Sequence, residues 1–388
     1  MSRFHYQIVK KFLQQIQGAT LSLQLPDDSN ETFGAPGQTF DSIFVKVHDW
    51  KAFRWILSRG DIGFAEGFIE GLWSTNQLEE ILRLALQNRS RLEPLFYGSK
   101  IGSFVYKLRH FFRRNTRSGS KRNIPAHYDI GNQFYKLWLD QSMMYSSALF
   151  DDKTDLTLEQ AQQLKCERIL QMLNLQENDL ILEIGCGWGS FIKRAIDHKF
   201  RIIGLTISEE QKKYIDQHFD TKRAVVRLQD YRDCYEQVDG IASIEMFEAV
   251  GQSYWKDYFD TLYRCLKSQK RAVIQTIVIS DDLFDRYEKE TDFIQQYVFP
   301  GGMLPSSKHF QKYASQAGLI VRDAFSFGQD YAQTLRLWRE RFNAKLSQIR
   351  ELGFDDRFIR LWNFYLMYCA AGFSEKSIDV TQFTLEKP

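Results

Sequence analysis

The sequence predicts an α/β fold: a doubly wound, mostly parallel sheet of seven strands, preceded by a smaller α/β domain. Predicted strands and helices alternate throughout residues 126–388, which is typical of a sheet covered by helices on both faces. The first five of these strands are near-continuous apolar runs, as expected for parallel strands that are buried on both sides. In such a sheet, ligands bind beyond the carboxyl ends of the strands.

Composition excludes several classes of protein. The chain has 388 residues, of which 44% are hydrophobic and 26% are charged, and its net charge is +2. This is an ordinary globular chain, and we expect no nucleic-acid partner. The five cysteines form no CxxC pair, so neither a disulfide framework nor a metal site is predicted, and a reducing cytoplasm fits. No apolar run reaches the roughly 18 residues of a membrane-spanning helix.

We predict three segments along the chain: a small α/β domain (1–94), a basic linking segment (95–125) and a catalytic domain (126–388). In the first, "ATLSLQLPDD" and "FDSIFVKVHD" alternate apolar and polar residues, which predicts two strands. Four glycines within residues 60–73 indicate that the shape of the backbone matters there.

The basic segment allows two interpretations. Residues 100–122 carry eight Lys or Arg and no acidic residue, and their apolar side chains fall roughly on one helical face. A basic amphipathic helix of this kind can lie on an anionic membrane, where each basic residue contributes about 1 kcal/mol. The alternative is an ordinary helix that packs its phenylalanine face on protein.

Capping residues predict where two helices begin. Ser74 and Thr75 precede one helical pattern, and Thr157 with Gln160 forms a capping box before another. The strand candidates of the third segment are "LILEIG", "RIIGLT", "AVVRLQ", "GIASIEM", "RAVIQTIVI", "LIVRDAFSF" and "IDVTQFTLE".

The glycine-rich turn after the first of these strands predicts a cofactor site. In "LEIGCGWGS", Gly185, Gly187 and Gly189 have GxGxG spacing between a strand and a helix, and Glu183 lies near the end of the strand. Dinucleotide sites use GxGxxG and phosphate loops use GxxxxGK, and neither pattern fits here. A strand, turn and helix of this kind is typical of class I, Rossmann-like methyltransferases that bind S-adenosylmethionine (SAM). The alternative is a purely structural glycine turn.

Eight motifs carry a family resemblance. In order they are "HYDIGNQFY", "MYSSALF", "LEIGCGWGS", "GLTISEEQ", "SIEMFEAVG", "FPGGMLPS", "DYAQTL" and "CAAGF". On these motifs the chain resembles the cyclopropane-fatty-acyl-phospholipid synthases and their mycolic-acid and methyl-branching relatives. "GDIGFAEGFIEGLW" is similar to the N-terminal domain of the long bacterial forms, so the resemblance covers nearly the whole chain.

The resemblance implies contacts to SAM from the glycine turn and from several loops. By motif, these contacts are Tyr128, Tyr145 and Ser146 closing over the cofactor, Gly185, Gly187 and Gly189 against its methionine part, Thr206 and Gln211 as polar contacts, and Tyr231 and Arg232 flanking the adenine. Ser208 in the same stretch as Thr206 is expected to cap a helix. Glu183 is included in the cofactor set as the acid before the glycine turn.

The family reaction sets requirements for the acyl site. Methyl transfer to a cis double bond leaves a carbocation, and closing a cyclopropane needs a base that removes a proton from the new methyl group. Aromatic side chains stabilise a cation by about 0.5–2 kcal/mol each. The resemblance implies a bound bicarbonate as the base. By motif, its ligands are Glu248, Tyr331, the backbone at Ile277, Ser147 in place of a cysteine and Gln275 in place of a histidine.

The stretch "SIEMFEAVG" places two acids after a buried strand. Glu248 matches the family's site acid and is expected close to Tyr331 and Gln275, where it orients the base or accepts the proton. Glu245 stands where several relatives have glycine. It either contacts SAM or supplies a carboxylate that the bicarbonate arrangement lacks. A helix cap is the structural alternative for one of the pair.

Two features near the C-terminus have both a functional and a structural interpretation. Cys369 matches a cysteine of the family that was once assigned as catalytic, although a buried cysteine on an apolar helix more often packs. Residues 293–306, with a Pro-Gly-Gly turn, resemble a lid or a wall of the acyl channel. A plain surface loop is the alternative.

The leading hypothesis is an enzyme that transfers a methylene group from SAM to unsaturated acyl chains of membrane phospholipids, giving cyclopropane fatty acids at the cytoplasmic face of the membrane. Ser147 and Gln275 keep a second ending open, in which the cation gives a methylene- or methyl-branched chain. An amine N-methyltransferase is disfavoured, because relatives of that kind lack the long N-terminal domain. A non-catalytic lipid-binding protein predicts a damaged cofactor loop. A homodimer is one of the oligomeric states that the sequence allows.

Overall fold

The structure is a computed structural model. It describes residues 2–35, 42–97, 130–152, 155–219 and 222–388. Tyr128 and the basic segment at 100–122 therefore lie outside the described residues. No helix of the described part is long and apolar enough to cross a membrane.

The described strands and helices follow one another along the chain much as the sequence patterns predict. The strands are β1 (Thr20–Gln24), β2 (Asn30–Gly34), β3 (Ser42–Val47), β4 (Trp73–Ser74), β5 (Leu180–Ile184), β6 (Arg201–Thr206), β7 (Ala224–Leu228), β8 (Val238–Ile244), β9 (Leu266–Ile279), β10 (Ile320–Ser326) and β11 (Ile378–Glu386). The helices are α1 (Ser2–Leu13), α2 (Lys51–Ile69), α3 (Leu78–Gln87), α4 (Arg89–Tyr97), α5 (Asn132–Lys136), α6 (Leu158–Leu173), α7 (Ser190–Asp197), α8 (Glu209–His218), α9 (Trp255–Cys265), α10 (Asp281–Tyr287), α11 (Phe293–Tyr297), α12 (Ser307–Gln316), α13 (Gly328–Asn343), α14 (Leu346–Glu351) and α15 (Asp356–Ser374).

The chain divides into two compact units. The first comprises Met1–Phe112, Arg286–Pro300 and Asn343–Ser377, and the second comprises Arg113–Asp285, Gly301–Phe342 and Ile378–Pro388. The units are therefore discontinuous in sequence: two stretches from the C-terminal half belong with the N-terminal segment. The predicted segments 1–94, 95–125 and 126–388 stay a prediction about domain organisation.

The first unit contains a small sheet in the order β2-β1-β3-β4, in which β1 pairs with β3 in parallel. Strand β3 buries every second side chain, as its period-2 sequence predicts. Helix α2 is kinked at Gly60, whose φ of 64° and ψ of −136° are not helical and suit only a residue without a Cβ atom. The glycine-rich stretch thus shapes a helix.

The predicted caps have different outcomes. Thr157 accepts a hydrogen bond from the Gln160 amide and completes the capping box of α6, which confirms that prediction. The prediction for Ser74 and Thr75 is wrong, because Ser74 lies in β4 and α3 begins only at Leu78. The Thr75 hydroxyl instead donates to the carbonyl of Phe44 at 2.6 Å, a tertiary contact that the local pattern does not contain.

The second unit is built on a seven-stranded sheet in the order β10-β11-β9-β8-β5-β6-β7. Strands β5 to β9 are parallel to one another, and β11 runs antiparallel to both β9 and β10. Strands β5, β6 and β8 are buried on both faces; β8, for example, is buried at six of its seven positions. This confirms the predicted fold class. The prediction of burial on both faces is wrong for β7, an edge strand on which Val225 and Leu228 are exposed. The carboxyl ends of β5, β6, β8 and β9 meet along one edge, where the predicted site residues lie.

Candidate active site

The glycine turn after β5 forms an open cradle at the carboxyl edge of the sheet. Gly185, Gly187 and Gly189 have φ angles of 84°, 50° and 86°, a conformation that favours glycine. A Cβ atom added at Gly187 would meet no atom of the described residues beyond its chain neighbours within 4 Å. Between the glycines, the Trp188 indole donates to the side chain of Asn132 at 2.8 Å. The turn is therefore fixed, yet leaves room for a ligand against its backbone.

Glu183 supplies an unsatisfied carboxylate beside this cradle. Its side chain is buried, and burial raises the pKa of Glu183 to about 8. Within the described part of the chain, its Oε2 atom has no hydrogen-bond partner. A buried polar atom without a partner costs about 1–3 kcal/mol. A ligand that donates hydrogen bonds, such as the ammonium group or ribose hydroxyls of SAM, would remove this cost.

The end of β6 carries a small polar cluster. The Thr206 hydroxyl donates to Gln211 Oε1 at 2.8 Å, and the amide of Ser208 donates to the Thr206 hydroxyl at 3.1 Å. The Ser208 side chain accepts from the amide of Gln211 and caps α8, as predicted. Thr206 and Gln211 thus lie together, buried at the edge of the sheet. Their contact with SAM stays a prediction.

Tyr231 and Arg232 form a short turn after β7. The Arg232 guanidinium makes a two-pronged contact with Asp230, with distances of 2.9 and 2.5 Å. The Tyr231 ring packs edge-on against Tyr258 at 5.5 Å between centroids. Burial raises the pKa of the Tyr231 hydroxyl. Contacts within the protein fix both side chains, so a flat ligand ring beside them would pack against a preformed surface.

An aromatic cluster lies around Tyr145. Its ring lies 5.3 to 5.6 Å, between centroids, from the rings of Tyr135, Trp138 and Trp338. Trp338 in turn contacts Tyr331 edge-on at 6.2 Å. The cluster joins a predicted cofactor residue, Tyr145, to a predicted acyl-site residue, Tyr331. Trp338 was not among the predicted site residues, although its position seven residues after Tyr331 places it on the same face of α13.

Glu245 is the acid on which the predicted acyl-site residues converge. Its Oε1 atom accepts hydrogen bonds from the Ser147 amide at 2.8 Å and from Gln275 Nε2 at 2.7 Å. Its Oε2 atom accepts from the Tyr331 hydroxyl at 2.6 Å. The three donors come from a loop, from β9 and from α13. Three converging donors are an arrangement suited to a charged carboxylate.

The backbone and electrostatics of Glu245 are both unusual. Its φ angle is 49°, a left-handed conformation that is uncommon for a residue with a side chain and that marks functional sites. Burial raises the pKa of Glu245 above its usual range, whereas the charge of Lys165 and the hydrogen bond from Tyr331 lower it. The site therefore removes a carboxylate from water and replaces the lost hydration with fixed donors.

Glu248 has different hydrogen-bond partners from Glu245. Its Oε1 atom accepts from the amide of Ile277 at 2.5 Å, and its Oε2 atom is buried without a hydrogen-bond partner among the described residues. We predicted Glu248 close to Tyr331 and Gln275. Its hydrogen bond comes from Ile277, two positions after Gln275, whereas Tyr331 and Gln275 themselves donate to Glu245. Burial and then the charge of Glu245 raise the pKa of Glu248 to about 8. Glu248 is therefore mostly protonated at neutral pH.

Helix α6 contributes residues that the sequence analysis missed. Lys165 is fully buried, and its Nζ atom donates to the Ser146 hydroxyl at 2.6 Å. One turn earlier, Gln162 Nε2 donates to the carbonyl of Ser146 at 2.9 Å. Together they hold the loop whose next amide, at Ser147, binds Glu245. A lysine within the buried stripe of α6 was the signal in the sequence.

Cys369 and the 293–306 segment are divided between the units. Cys369 lies on α15 of the first unit, and burial raises the pKa of its thiol well above the usual range, which disfavours the thiolate form. In the second unit, the amide of Met303 donates to the carbonyl of Glu248 at 2.8 Å. The later part of that segment thus contacts a site residue. Within the described part of the chain, no cluster of His, Cys, Asp and Glu could hold a metal ion.

Comparison with known proteins gives a consistent result. Residues 115–383 match the family described as "Mycolic acid cyclopropane synthetase". Tuberculostearic acid methyltransferase UfaA1 of Mycobacterium tuberculosis is 34% identical over 378 residues, covering 94% of this chain and 88% of its own length. Cyclopropane-fatty-acyl-phospholipid synthase of Escherichia coli K12 is 31% identical over 365 residues, covering 88% of this chain and 87% of its own length.

A solved structure agrees with these relatives. Mycolic acid cyclopropane synthase CmaA1, complexed with SAH and CTAB, superposes with a TM-score of 0.64 at 33% sequence identity. The match covers 69% of this chain and 98% of CmaA1.

Proposed function

Because this chain belongs to the mycolic acid cyclopropane synthetase family and is a SAM-dependent fatty acyl methyltransferase, we propose that it adds a methylene group across the cis double bond of unsaturated acyl chains in membrane phospholipids. The product is a cyclopropane fatty acid, and Glu245 is the base. The single observation that carries this proposal is the convergence of Ser147, Gln275 and Tyr331 on the Glu245 carboxylate.

The residues of the cofactor site fit SAM. SAM supplies an electrophilic methyl group on a sulfonium, and a SAH-bound relative has the same fold. Gly187 leaves space beside the turn, and Glu183 offers a buried oxygen that lacks a donor. Thr206 and Gln211 offer polar atoms at the neighbouring strand end. These residues would hold the cofactor.

The chemistry of the acyl site follows from its charges and rings. When the methyl group bonds to one alkene carbon, positive charge develops on the other, and the π-faces of Tyr145, Trp338 and Tyr331 stabilise it. The Glu245 carboxylate then takes one proton from the new methyl. The electron pair of that C–H bond closes the three-membered ring. The acyl chain returns to neutrality, and Glu245 is left protonated.

A carboxylate of the protein replaces bicarbonate in this proposal. The resemblance assigned Ser147, Gln275 and Tyr331 to a bound bicarbonate, and all three donate to Glu245 instead. A second anion in the same place would face Glu245 across a short distance in a buried site, which is costly. Glu248, protonated near neutral pH, adds no further negative charge. We therefore assign no bicarbonate to this chain.

A second product is favoured by one comparison and one physical argument. Tuberculostearic acid methyltransferase UfaA1 matches 94% of this chain, and a fixed carboxylate at Glu245 can take a proton only from the position it faces. If a hydride shifts along the acyl chain before Glu245 acts, loss of a methyl proton gives a methylene-branched chain instead of a ring. A reductant would then be needed for a methyl branch.

The test is expression of the chain in a host that makes unsaturated phospholipids, with the SAM methyl isotopically labelled. We expect the acyl chains to gain one labelled CH₂ group. Ring and methylene products are isomers, so fragmentation of the acyl chains distinguishes them. Absence of any labelled acyl chain, in a host where the protein is present and folded, would contradict the proposed function.

Membrane contact through residues 100–122 is part of the same proposal. Changing Arg109, Arg113 and Arg114 together to Glu should weaken binding to vesicles of anionic phospholipid. Each substitution replaces a positive charge that the anionic surface attracts with a negative charge that it repels. Activity on detergent-dispersed lipid should persist. Vesicle binding that is unchanged by both the substitutions and added salt would favour the packing interpretation.

A further inference from the structure

Gln275, the donor to Glu245, is the inner end of a buried chain of side-chain hydrogen bonds. Its Oε1 atom accepts from Gln382 Nε2 at 3.0 Å, and Gln382 Oε1 accepts from an Arg168 guanidinium nitrogen at 2.7 Å. Both glutamines are fully buried. The chain of donors therefore runs in one direction, from Arg168 through Gln382 and Gln275 to Glu245.

The fold brings these side chains together by strand pairing and helix periodicity. Gln275 on β9 and Gln382 on β11 are directly paired across the antiparallel ladder, so their side chains lie next to each other on one face. Arg168 lies on α6, three residues after Lys165 and six after Gln162. These three polar residues share one face of the helix. Arg168 is oriented by an ion pair with Asp323 on β10 at 2.6 Å.

The direction of this chain is set at its outer end. A glutamine amide can be turned over, exchanging its donor and its acceptor. Arginine only donates, so Arg168 requires the carbonyl oxygen of Gln382 to face it. Gln382 then directs its NH₂ group at the oxygen of Gln275, and Gln275 directs its NH₂ group at Glu245. A reversed Gln275 would place an oxygen against the carboxylate and leave buried polar atoms unpaired, at a cost of about 1–3 kcal/mol.

We propose that Arg168 and Gln382 are positioning residues, which act through Gln275 to keep a hydrogen-bond donor directed at the Glu245 carboxylate. This inference rests on the proposed function, in which Glu245 is the base. It assigns a task to two residues that touch neither the carboxylate nor the cofactor cradle. Through the relay, the two glutamine amides are oriented so that their donors face the base.

Other charged and titratable groups also face Glu245. Lys165 on α6 favours its ionised form directly, Tyr331 on α13 donates to it, and Glu248 opposes its ionisation when deprotonated. The relay is therefore one of several contributions to the ionised state of Glu245. Its removal should shift the titration of Glu245 upward without abolishing it.

The test compares variants of the full-length enzyme by their pH–rate profiles. Arg168→Met should lower turnover about 10-fold and move the acid limb, which reports deprotonation of Glu245, upward by about one pH unit. Arg168→Lys keeps a charged group that only donates hydrogen bonds. It should therefore restore most of the turnover and return the acid limb most of the way to its wild-type position. Arg322→Met is the matched control: it removes an arginine of β10 that pairs with Glu386 at 2.7 Å and takes no part in the relay, so its acid limb should stay at the wild-type position.

A double-variant comparison separates a relay from simple structural damage. If Arg168 acts through Gln275, then Arg168→Met should change turnover by less than about two-fold when Gln275 is already leucine. Additive losses of turnover in the double variant would overturn the proposal. An acid limb of Arg168→Met at the same pH as that of the wild type would also overturn it. Should Arg168→Met fold poorly, Gln382→Met interrupts the same relay and carries the same expectations.

One readout keeps this inference distinct from the proposed function. Infrared difference spectra against pH report the protonated carboxyl of Glu245, identified by its loss in Glu245→Gln. A pH midpoint for that band that is equal in wild type and Arg168→Met overturns the relay alone. Full activity of Glu245→Gln would instead overturn the proposed base, whatever Arg168→Met shows.

Discussion

Glu245→Gln is the substitution that most directly tests the proposed mechanism. The change keeps the size of the side chain and removes its charge. The existing contacts accommodate the amide well: its oxygen can still accept from the Ser147 amide and from Gln275, as Glu245 Oε1 does. Its NH₂ group would face the Tyr331 hydroxyl, which can rotate and accept instead of donating. We therefore expect a folded protein with an intact hydrogen-bond pattern around position 245.

The expected loss of rate follows from the role of the base. Removing a general base lowers turnover by about 10²–10⁴, which corresponds to about 2.7–5.4 kcal/mol of transition-state stabilisation at 1.36 kcal/mol per decade. Lys165 keeps its hydrogen bond to the Ser146 hydroxyl but loses the nearby negative charge of Glu245, which lowers the stability of the folded state. That loss of stability should appear as a lower melting temperature and should leave SAM affinity unchanged.

The assay measures turnover on phospholipid vesicles and SAM binding by calorimetry. A loss of turnover with unchanged SAM affinity supports the role as a base, whereas a loss of SAM affinity would make Glu245 a cofactor ligand. Normal turnover would refute the reasoning. Glu245→Gly provides a control, because glycine suits the φ of 49° at this position and opens space among the three donors. Activity of that variant should depend on added bicarbonate, while activity of the wild type should not.

Three other predictions follow from the same contacts. Gly187→Val should abolish SAM binding measured by calorimetry while the circular dichroism spectrum stays native, since the valine side chain would occupy the open cradle in a strained conformation. Unchanged affinity for SAM would contradict the cofactor assignment. Glu248→Gln should reduce turnover less than Glu245→Gln, because Glu248 with a pKa of about 8 is already mostly neutral at pH 7. Because the pKa of Glu248 is raised in the folded state, the stability of the wild type decreases as pH rises from about 4.5 to 8, by roughly 1.4 kcal/mol per pH unit from this group. Thermal unfolding should therefore show the melting temperature of Glu248→Gln rising relative to that of the wild type across that interval. A constant difference between the two melting temperatures would disprove the pKa shift. Cys369→Ser should leave turnover within about two-fold, since its thiol is buried and protonated; a large loss at unchanged melting temperature would restore its catalytic assignment.

Local sequence was sufficient for the elements whose signals are local. Strands β5, β6 and β8 are recognisable because a strand buried on both faces must be apolar at nearly every position. The capping box of Thr157 and Gln160 is recognisable because both partners lie within one helical turn. The same logic failed at Thr75, whose hydroxyl bonds a strand 31 residues away. A capping residue can be identified from its neighbours only when no distant acceptor competes for it.

The fold class, the glycine cradle and the set of residues around the acyl site could all be predicted from residue patterns. The acid to which those residues donate could not, because it depends on contacts between distant parts of the chain. Glu245 and Glu248 are three positions apart, and the left-handed backbone at Glu245 turns the chain at the end of β8, so the two carboxylates meet different partners. The donors to Glu245 come from positions 30 to 98 residues away. Their convergence depends on strand order and helix packing, which no spacing within a motif encodes.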